Sequence, residues 1–555
     1  MTANTWKNRN RLRALVQPLA LLSVAVVAGA VASPAQNGSS FFSPGNLVIS
    51  RSVYDNNPNN VYVGELLPPN CQNTTAGCAG NATNDGTYPT VWNNDLVDGS
   101  FGVTSKIVLD QFTVAGSLVN SLEVPNEHRI GVPLLKDDLV TSFSSKSEVA
   151  LNLSTDGQYL TFMGYVASID DIDVSNSNTP LDVDPTNPVG RNMFRGVAQV
   201  DPNGNFHFTE TNAYSGNNGR AAVLNNSNGA NFIYTAGNAG NGANPQPDGI
   251  IIGGGSQILT PATQPEILQR PQQPAPLASF NITQLGDPHD KIGKDNNFRG
   301  MTIFNNVVYY TKGSGSNGVN TVYWVDPTLQ VCNDNNGVGL PPTNATLPTA
   351  ALDYDPSLLQ TKGLDPNNMC VLQGFPTALH STSSFPFGVW FGDANTLYVA
   401  DEGDGDNTYS NGLYTTAAAS TTAGLQKWIF DSTSGQWNLA YVLQSGLQLG
   451  VPYTVTNYPT GNNPATGLPW SPGTDGLRNI TGVANGDGTV TIYAITSTVS
   501  GNGDQGADPN KLVVITDQLS ATSLPPDESF ATFDAANFGE VLRGVSFTPG
   551  TAGAR

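Results

Sequence analysis

Charged side chains are scarce in this sequence. They make up 12% of its 555 residues, about half the usual share. That composition excludes a coiled coil, and few segments have the Ala, Glu, Lys and Leu richness of good helices. Histidine occurs only four times, at His128, His207, His289 and His380. Cysteine also occurs four times, never as C-x-x-C, which argues against zinc and thioredoxin-type chemistry. No G-x-S-x-G, H-E-x-x-H or P-loop is present, so the common nucleophile, zinc-hydrolase and nucleotide signatures are missing. Beyond residue 32 no apolar run is long enough to span a bilayer.

What is present is turn-rich. The chain holds 59 glycines and 38 prolines, and its 38% hydrophobic content suffices for a core. Lys7, Arg9, Arg11 and Arg13 precede an apolar run from Leu15 to Val31, which ends on Ala30-Val31-Ala32. This order reads as a secretory signal over 1–32, with an uncleaved anchor as the alternative. A flexible stretch over 33–43 is expected to follow it. Removing the four basic residues leaves 19 basic against 44 acidic side chains, a net charge of −25. Such a chain repels nucleic acid and anionic lipid. In an extracellular or periplasmic setting, the simplest of three disulfide connectivities pairs Cys71 with Cys78 and Cys332 with Cys370. N-x-S/T sequons, Asn73, Asn152, Asn281 and Asn479 among them, are expected by chance in so Asn-, Ser- and Thr-rich a chain.

After residue 43 the chain falls into short β-rich runs with Gly, Asn and Asp between them. Four stretches look alike. They are GRAAVLNNSNGANFIYTAGN from Gly219, FRGMTIFNNVVYYTKGSG from Phe298, FPFGVWFGDANTLYVADEGDG from Phe385 and LRNITGVANGDGTVTIYAITST from Leu477. Each reads as a strand, a turn and an aromatic-rich strand, and third and fourth strands generally follow. Repeated four-strand units read as propeller blades, each sheet apolar on both faces because it packs between neighbours. First strands near Val545, Val149, Ala222, Met301, Val389 and Ile480 give six blades, with seven as the alternative. The final segment LRGVSFTPG, from Leu542, supplies a first strand whose second strand is NLVISRSVYD, from Asn46. The expected fold is therefore all-β, a single propeller of six four-stranded blades over 44–550. Pairing of the C-terminal strand with the N-terminal blade closes it and removes the open edge.

The run PFGVWFGDANTLYVADEG, from Pro386, resembles the NHL/YVTN-type propeller repeat, with its P-x-G-V start and L-Y-V-A-D second strand. The resemblance covers this blade; the others share its rhythm. It implies a six-bladed architecture used by lactonases, lyases, strictosidine-synthase-like enzymes and pure binding modules, and does not choose among them. In lactonase-like propellers a metal sits over the channel on Glu, Asn and Asp. Glu148, Asn479 and Asp401 are the positional counterparts, but arginines beside them disfavour a cation.

Long insertions at 55–104, 166–193, 403–423 and 499–509 fall between second and third strands. Another at 447–476 lies between blades five and six, so all five emerge on one face. The insertion 328–371, its base tied by Cys332 and Cys370, emerges on the opposite face, together with a Pro- and Gln-rich connector at 254–276. Aligning the first strands puts Arg220, Arg299, Arg478 and Arg543 at one repeat position, with Glu148 and Phe387 in the other two blades. Ten arginines follow residue 32, so four at one position read as a pattern. They start the innermost strands on the inserted face, where Arg51, Lys312, Asp401 and Glu402 also end their strands. Such a ring suits a carboxylate, sulfate or phosphate, or a developing oxyanion. It equally suits bonding to carbonyls of the next blade.

Asp401, Asp404 and Asp406 form an acidic Gly-rich turn that suits Ca²⁺ or simply solvent; no cofactor is required. Asp170, Asp171 and Asp173 allow the same two readings. His207 reads as a sheet residue and His289 as a turn residue, while His380 is the first candidate base. Trp92 and Trp470 lie in the long loops, where they stack on a ligand or pack the loop. The leading expectation is a secreted, monomeric propeller that binds an anionic small molecule, a glycan or an extracellular protein at the arginine-lined mouth. One alternative is a hydrolase or lyase in which Glu148, Asp401 or His380 moves protons on an acidic substrate. A structural surface protein is the other.

Overall fold

The computed structural model describes residues 40–55, 57, 59, 102–126, 139–180, 187, 189–238, 255–261, 297–313, 318–328, 330–335, 337–349, 368–464, 466–502 and 505–551. Residues 40 onward form one compact unit. Residues 1–32, read above as a secretory signal, and Cys71, Cys78, Trp92, His128 and His289 lie outside the described residues.

Six small antiparallel sheets stand in a ring. Blade one runs outward from Glu540–Phe547 through Leu47–Val53 and Thr104–Phe112 to Leu118–Glu123. Blade two is Asn152–Leu153, Leu160–Tyr165, Arg195–Val200 and Phe206–Thr211. Blade three shows Gly219–Asn225, Phe232–Gly237 and Ser256–Leu259 among the described residues. Blade four is Met301–Phe304, Val307–Lys312, Thr321–Val325 and Met369–Leu372, with Val338–Gly339 added in parallel. Blade five is Pro386–Asp393, Thr396–Asp401, Gly424–Asp431 and Gln436–Leu443. Blade six is Gly473–Ala484, Thr489–Val499, Lys511–Gln518 and Ala531–Ala535. First strands of successive blades touch all the way round. The closure expected from sequence is present, with Ile49 opposite Val545.

The core lies between blades, which is why alternation in the strands is weak. Val48, Ile107 and Phe162 join blades one and two, and Met163, Ala222 and Ile233 join two and three. Tyr234, Val308 and Phe391 link blades three, four and five. Tyr398 and Ile492 join five and six, and Tyr493 and Leu47 complete the circuit. Hydroxyls on second strands add a repeated latch to the next blade's first strand. Ser50 Oγ donates to the Val149 carbonyl at 2.7 Å, Thr161 Oγ1 to Ala222 at 2.6 Å, and Thr311 Oγ1 to Phe387.

Two segments differ from expectation. The segment 254–276 is not all connector, because Ser256–Leu259 is the third strand of blade three, paired with Ile233–Ala236. Its Ser-Gln-Ile-Leu run is too short to stand out beside the Pro- and Gln-rich stretch that follows. Residues 40–43, assigned to a flexible N-terminus, are anchored. Phe42 is fully buried and its N–H donates to the Pro202 carbonyl at 2.9 Å.

Near the axis, backbones crowd. A Cβ on Gly544 would sit 2.6 Å from both the Leu151 nitrogen and the Val149 oxygen, and one on Gly300 would collide with the Phe387 carbonyl. Backbone atoms cannot swing aside as a flexible side chain can. Gly544→Ala should therefore cost about 2 kcal/mol or more in denaturant unfolding. A loss below ~0.5 kcal/mol would show that the first strands have room to part.

Candidate functional site

The aligned first-strand arginines of blades three, four and six come together at one mouth of the ring. Three guanidinium groups gather there. Glu402, just past the end of blade five's second strand, receives two of them. Arg478 Nε lies 3.2 Å from its Oε2, and Arg299 Nε lies 3.6 Å from its Oε1. Arg299 also donates from Nη1 to Ser147 Oγ at 3.1 Å, spanning from blade four to blade two. Its guanidinium lies 6.0 Å from the Phe387 ring centre. Arg220 donates from Nη1 to Asn297 Oδ1 and, at 2.6 Å, to the Phe298 carbonyl. Burial pulls Arg220 well below the ordinary arginine range, and repulsion from Arg299 adds to it, against attraction from Glu402 and Glu148. Arg299 is lowered by burial too; Glu402 opposes the shift and Arg478 adds to it. The buried Arg220 Nε–H finds no hydrogen-bond acceptor, and the Arg299 Nε–H has only its 3.6 Å ion pair with Glu402.

The fourth arginine has a different setting. Arg543 donates from Nε to Ser52 Oγ at 3.0 Å and from Nη2 to the Phe143 carbonyl. Glu148, its counterpart in blade two, is buried. Its Oε2 accepts from Thr141 Oγ1 at 2.7 Å and the Ser142 N–H at 3.1 Å. Its Oε1 accepts from the Tyr165 hydroxyl and from Asn218 Nδ2 at 3.4 Å. Tyr165, beside Glu148, was not singled out from sequence. Neither was Arg195, whose guanidinium bonds the Asn217, Met193 and Ser177 carbonyls and lies 5.1 Å from the Tyr165 ring centre. Burial lowers Arg195 to about 10. A fully buried arginine serving main-chain carbonyls is a clamp on its loop, and nothing in the repeat pattern marks it.

Other candidates stand apart. Arg51 is not held in the ring: its Nε binds Asp110 at 2.8 Å and its Nη1 binds Glu540 within blade one. Sequence could place the strand end but not the face, and acidic neighbours on the flanking strands capture the side chain. Lys312 is buried and donates to Asn320 Oδ1 at 3.2 Å. Asp401 Oδ2 accepts from Ser384 Oγ, the Phe385 N–H and Gln426 Nε2, and its Oδ1 accepts from the Gly403 N–H. Burial raises its carboxyl above the ordinary range in spite of those bonds. Asp404 and Asp406 are exposed, and each closes its own turn, on the Asp406 and Thr408 N–H groups. Asp171 pairs with Arg191, while Asp170 and Asp173 bond Asn57 and Asn176. Among the described residues no group of His, Cys, Asp and Glu is spaced to hold a metal. His380 is exposed on the loop beside Gly318, with positive φ. His207 is half-buried in an outer strand, and Trp470 is buried in loop packing. Cys332 and Cys370 form the expected disulfide.

The insertions of blades five and six knit into a cap over this mouth. The Gly405 N–H donates to Asp475 Oδ2 at 2.8 Å, Gln505 Nε2 to the Gly405 carbonyl at 2.9 Å, and Asn463 Nδ2 to the Gly501 carbonyl at 2.7 Å. Tyr54, Val103, Phe143 and Ala507 continue it apolarly toward blades one and two.

No protein-family model matches the chain, and no curated protein matches it. The NHL/YVTN type is thus not established by comparison; the six blades stand on the sheets themselves. Among solved structures, a polysaccharide lyase named as an ulvan lyase is similar at 10% identity, with 87% of this chain and 96% of that chain covered and a TM-score of 0.26. The same lyase bound to -[GlcA(1-4)Rha3S]- gives 11% identity, the same coverage and a TM-score of 0.27. A sialidase, NanB of Streptococcus pneumoniae, gives 10% identity, with 91% of this chain and 78% of that chain covered and a TM-score of 0.18. Likeness at this level carries no argument about fold or activity.

Asp475 was missed from sequence, since a lone aspartate near the start of a strand has no signature. Its Oδ1 is buried without a hydrogen-bond partner. Burial, with Asp404 and Glu402 adding repulsion, pushes its carboxyl up to about 8, against the Gly405 bond and Arg478. The folded chain therefore holds this proton more tightly than the unfolded chain does. That stability is full below the ordinary aspartate range and is lost as pH rises toward about 8. Asp475→Asn removes the titration. Its unfolding free energy relative to the parent should climb from pH 5 toward pH 8, with a slope of up to about 1.4 kcal/mol per pH unit, and level off above that. A difference independent of pH would show that the carboxyl is ionised throughout.

Proposed function

We propose that this chain is an exported β-propeller that binds a small anionic group, the carboxylate or sulfate of an acidic saccharide, at the arginine-lined mouth. The observation that carries this reading is the charge balance there. Arg220, Arg299 and Arg478 crowd together around Glu402; the buried Arg220 Nε lacks an acceptor, and Arg299 Nε reaches Glu402 only at 3.6 Å. Unpaired donors on desolvated guanidinium groups are costly, and a carboxylate or sulfate relieves both the missing bonds and the repulsion. Arg299, the least buried of the three, is the side a ligand meets first. Arg543 serves the Phe143 carbonyl, on the segment between blades one and two, and belongs to the framework.

Binding is favoured over proton transfer because Glu148 and Asp401 are buried and accept hydrogen bonds at both oxygens. The basic, apolar and A-x-A order of residues 1–32 supports export, and the Cys332–Cys370 disulfide is in keeping with it. The reading needs no metal.

The test is calorimetry and thermal shift with glucuronate, galacturonate, glucose 6-sulfate and inorganic sulfate. At least one should raise the melting temperature of the parent protein. Arg299→Gln with Arg478→Gln should abolish that rise, while Glu402→Gln, which removes a competing carboxylate, should tighten binding about fivefold or more. If the double variant does not fold, Arg299→Lys, which keeps charge and loses the fork, should weaken binding about fivefold. Absence of any shift in the parent protein, or a shift that survives these substitutions, overturns the reading.

A further inference from the structure

The opposite end of the channel is chemically unlike the arginine mouth. First strands start at the guanidinium groups and end at a vestibule of about 680 Å³ on the other face. Residues from all six blades line it, joined by Thr346, Leu347 and Thr349 of the disulfide-tied insertion. Among the described residues that line it, none carries a charge, although the whole chain has a net charge of −21. An ion buried there would find no counter-charge.

The lining has two parts. Leu151, Val223, Val389 and Ile480 give it an apolar floor. Asn152, Asn225, Asn305 and Asn306, with Thr155 and Thr302, supply amides and hydroxyls, which donate and accept from one side chain. Some are pre-set: Thr155 Oγ1 donates to Asn225 Oδ1 at 3.1 Å, and Asn225 Nδ2 to the Tyr234 hydroxyl at 3.2 Å. Trp390 lines the same space, and its buried indole N–H has no hydrogen-bond acceptor. Its ring is fixed against Tyr398, 5.9 Å between centres, and a Cβ on Gly482 would lie 2.9 Å from it. A clamped ring cannot turn its N–H out to water, and buried indole donors ordinarily find a partner.

We propose that this vestibule is a second binding site, for a neutral saccharide. Sugars pair apolar C–H faces with hydroxyls that both donate and accept. An apolar floor ringed by uncharged amides, with one unclaimed N–H, matches both, and the volume falls in the range of small-molecule sites.

Saturation-transfer NMR and calorimetry with maltotetraose, cellotetraose, mannotetraose and xylotetraose test this on the full mature chain. At least one should bind, and glucuronate should not displace it. Trp390→Phe, which removes only the N–H and part of the ring, should weaken it about tenfold. Thr349→Trp, on the exposed rim and outside the blades, should block it without unfolding the core, and Arg299→Gln should leave it unchanged. No binding by any of the four, or binding that survives both Trp390→Phe and Thr349→Trp, overturns the proposal. Loss of binding in Arg299→Gln alone would assign the sugar to the other mouth and equally overturn it.

Discussion

Everything in this molecule depends on how closely six inner strands approach one another at the axis. At Gly300, Gly388 and Gly544 even a methyl group would meet the backbone of the next blade. Side chains larger than hydrogen therefore have to leave the axis at its ends. Apolar bulk moves outward, into the spaces between sheets, where each interface has its own cluster. Polar groups between the blades are spent on latches such as Ser50 and Thr161, so the ends of the channel are where ligand chemistry can collect.

The two ends have divided that chemistry. At one, guanidinium groups from blades three, four and six face Glu402, under a cap of loops bonded to one another through Asp475, Gln505 and Asn463. At the other, amides, hydroxyls and aliphatic carbons meet in a space with no charged lining residue among those described. Both ends are products of the same strands read in opposite directions, since each first strand contributes a starting residue to one and a finishing residue to the other.

Much of this was legible in the chain itself. Strand–turn–strand rhythm with weak alternation announced sheets covered on both faces, and the orphan strand at 542–550 announced closure. The arginine position was legible because it repeats, and glycine follows it at 300 and 544 for the reason given above. What repeats is visible. What is paired across the fold is not: Arg51 goes to Asp110 and Glu540, Glu148 to Tyr165, and Arg195 to carbonyls of its own loop. Those choices depend on which face a side chain takes and on which residues of distant sequence arrive beside it. The vestibule left no motif either, because it is assembled from residues whose one shared property is lack of charge.

The closing seam has a temporal meaning. Leu47–Val53 is bordered on one side by Thr104–Phe112 and on the other by Glu540–Phe547. Hundreds of residues are synthesised between the arrival of that strand and the arrival of its inner partner. Throughout that interval a strand containing Val48 and Ile49, both fully buried in the finished ring, presents an unsatisfied edge. Such an edge invites pairing with other chains. The last strand to be made is thus the one that retires the edge, and the order of synthesis sets how long the edge stays open.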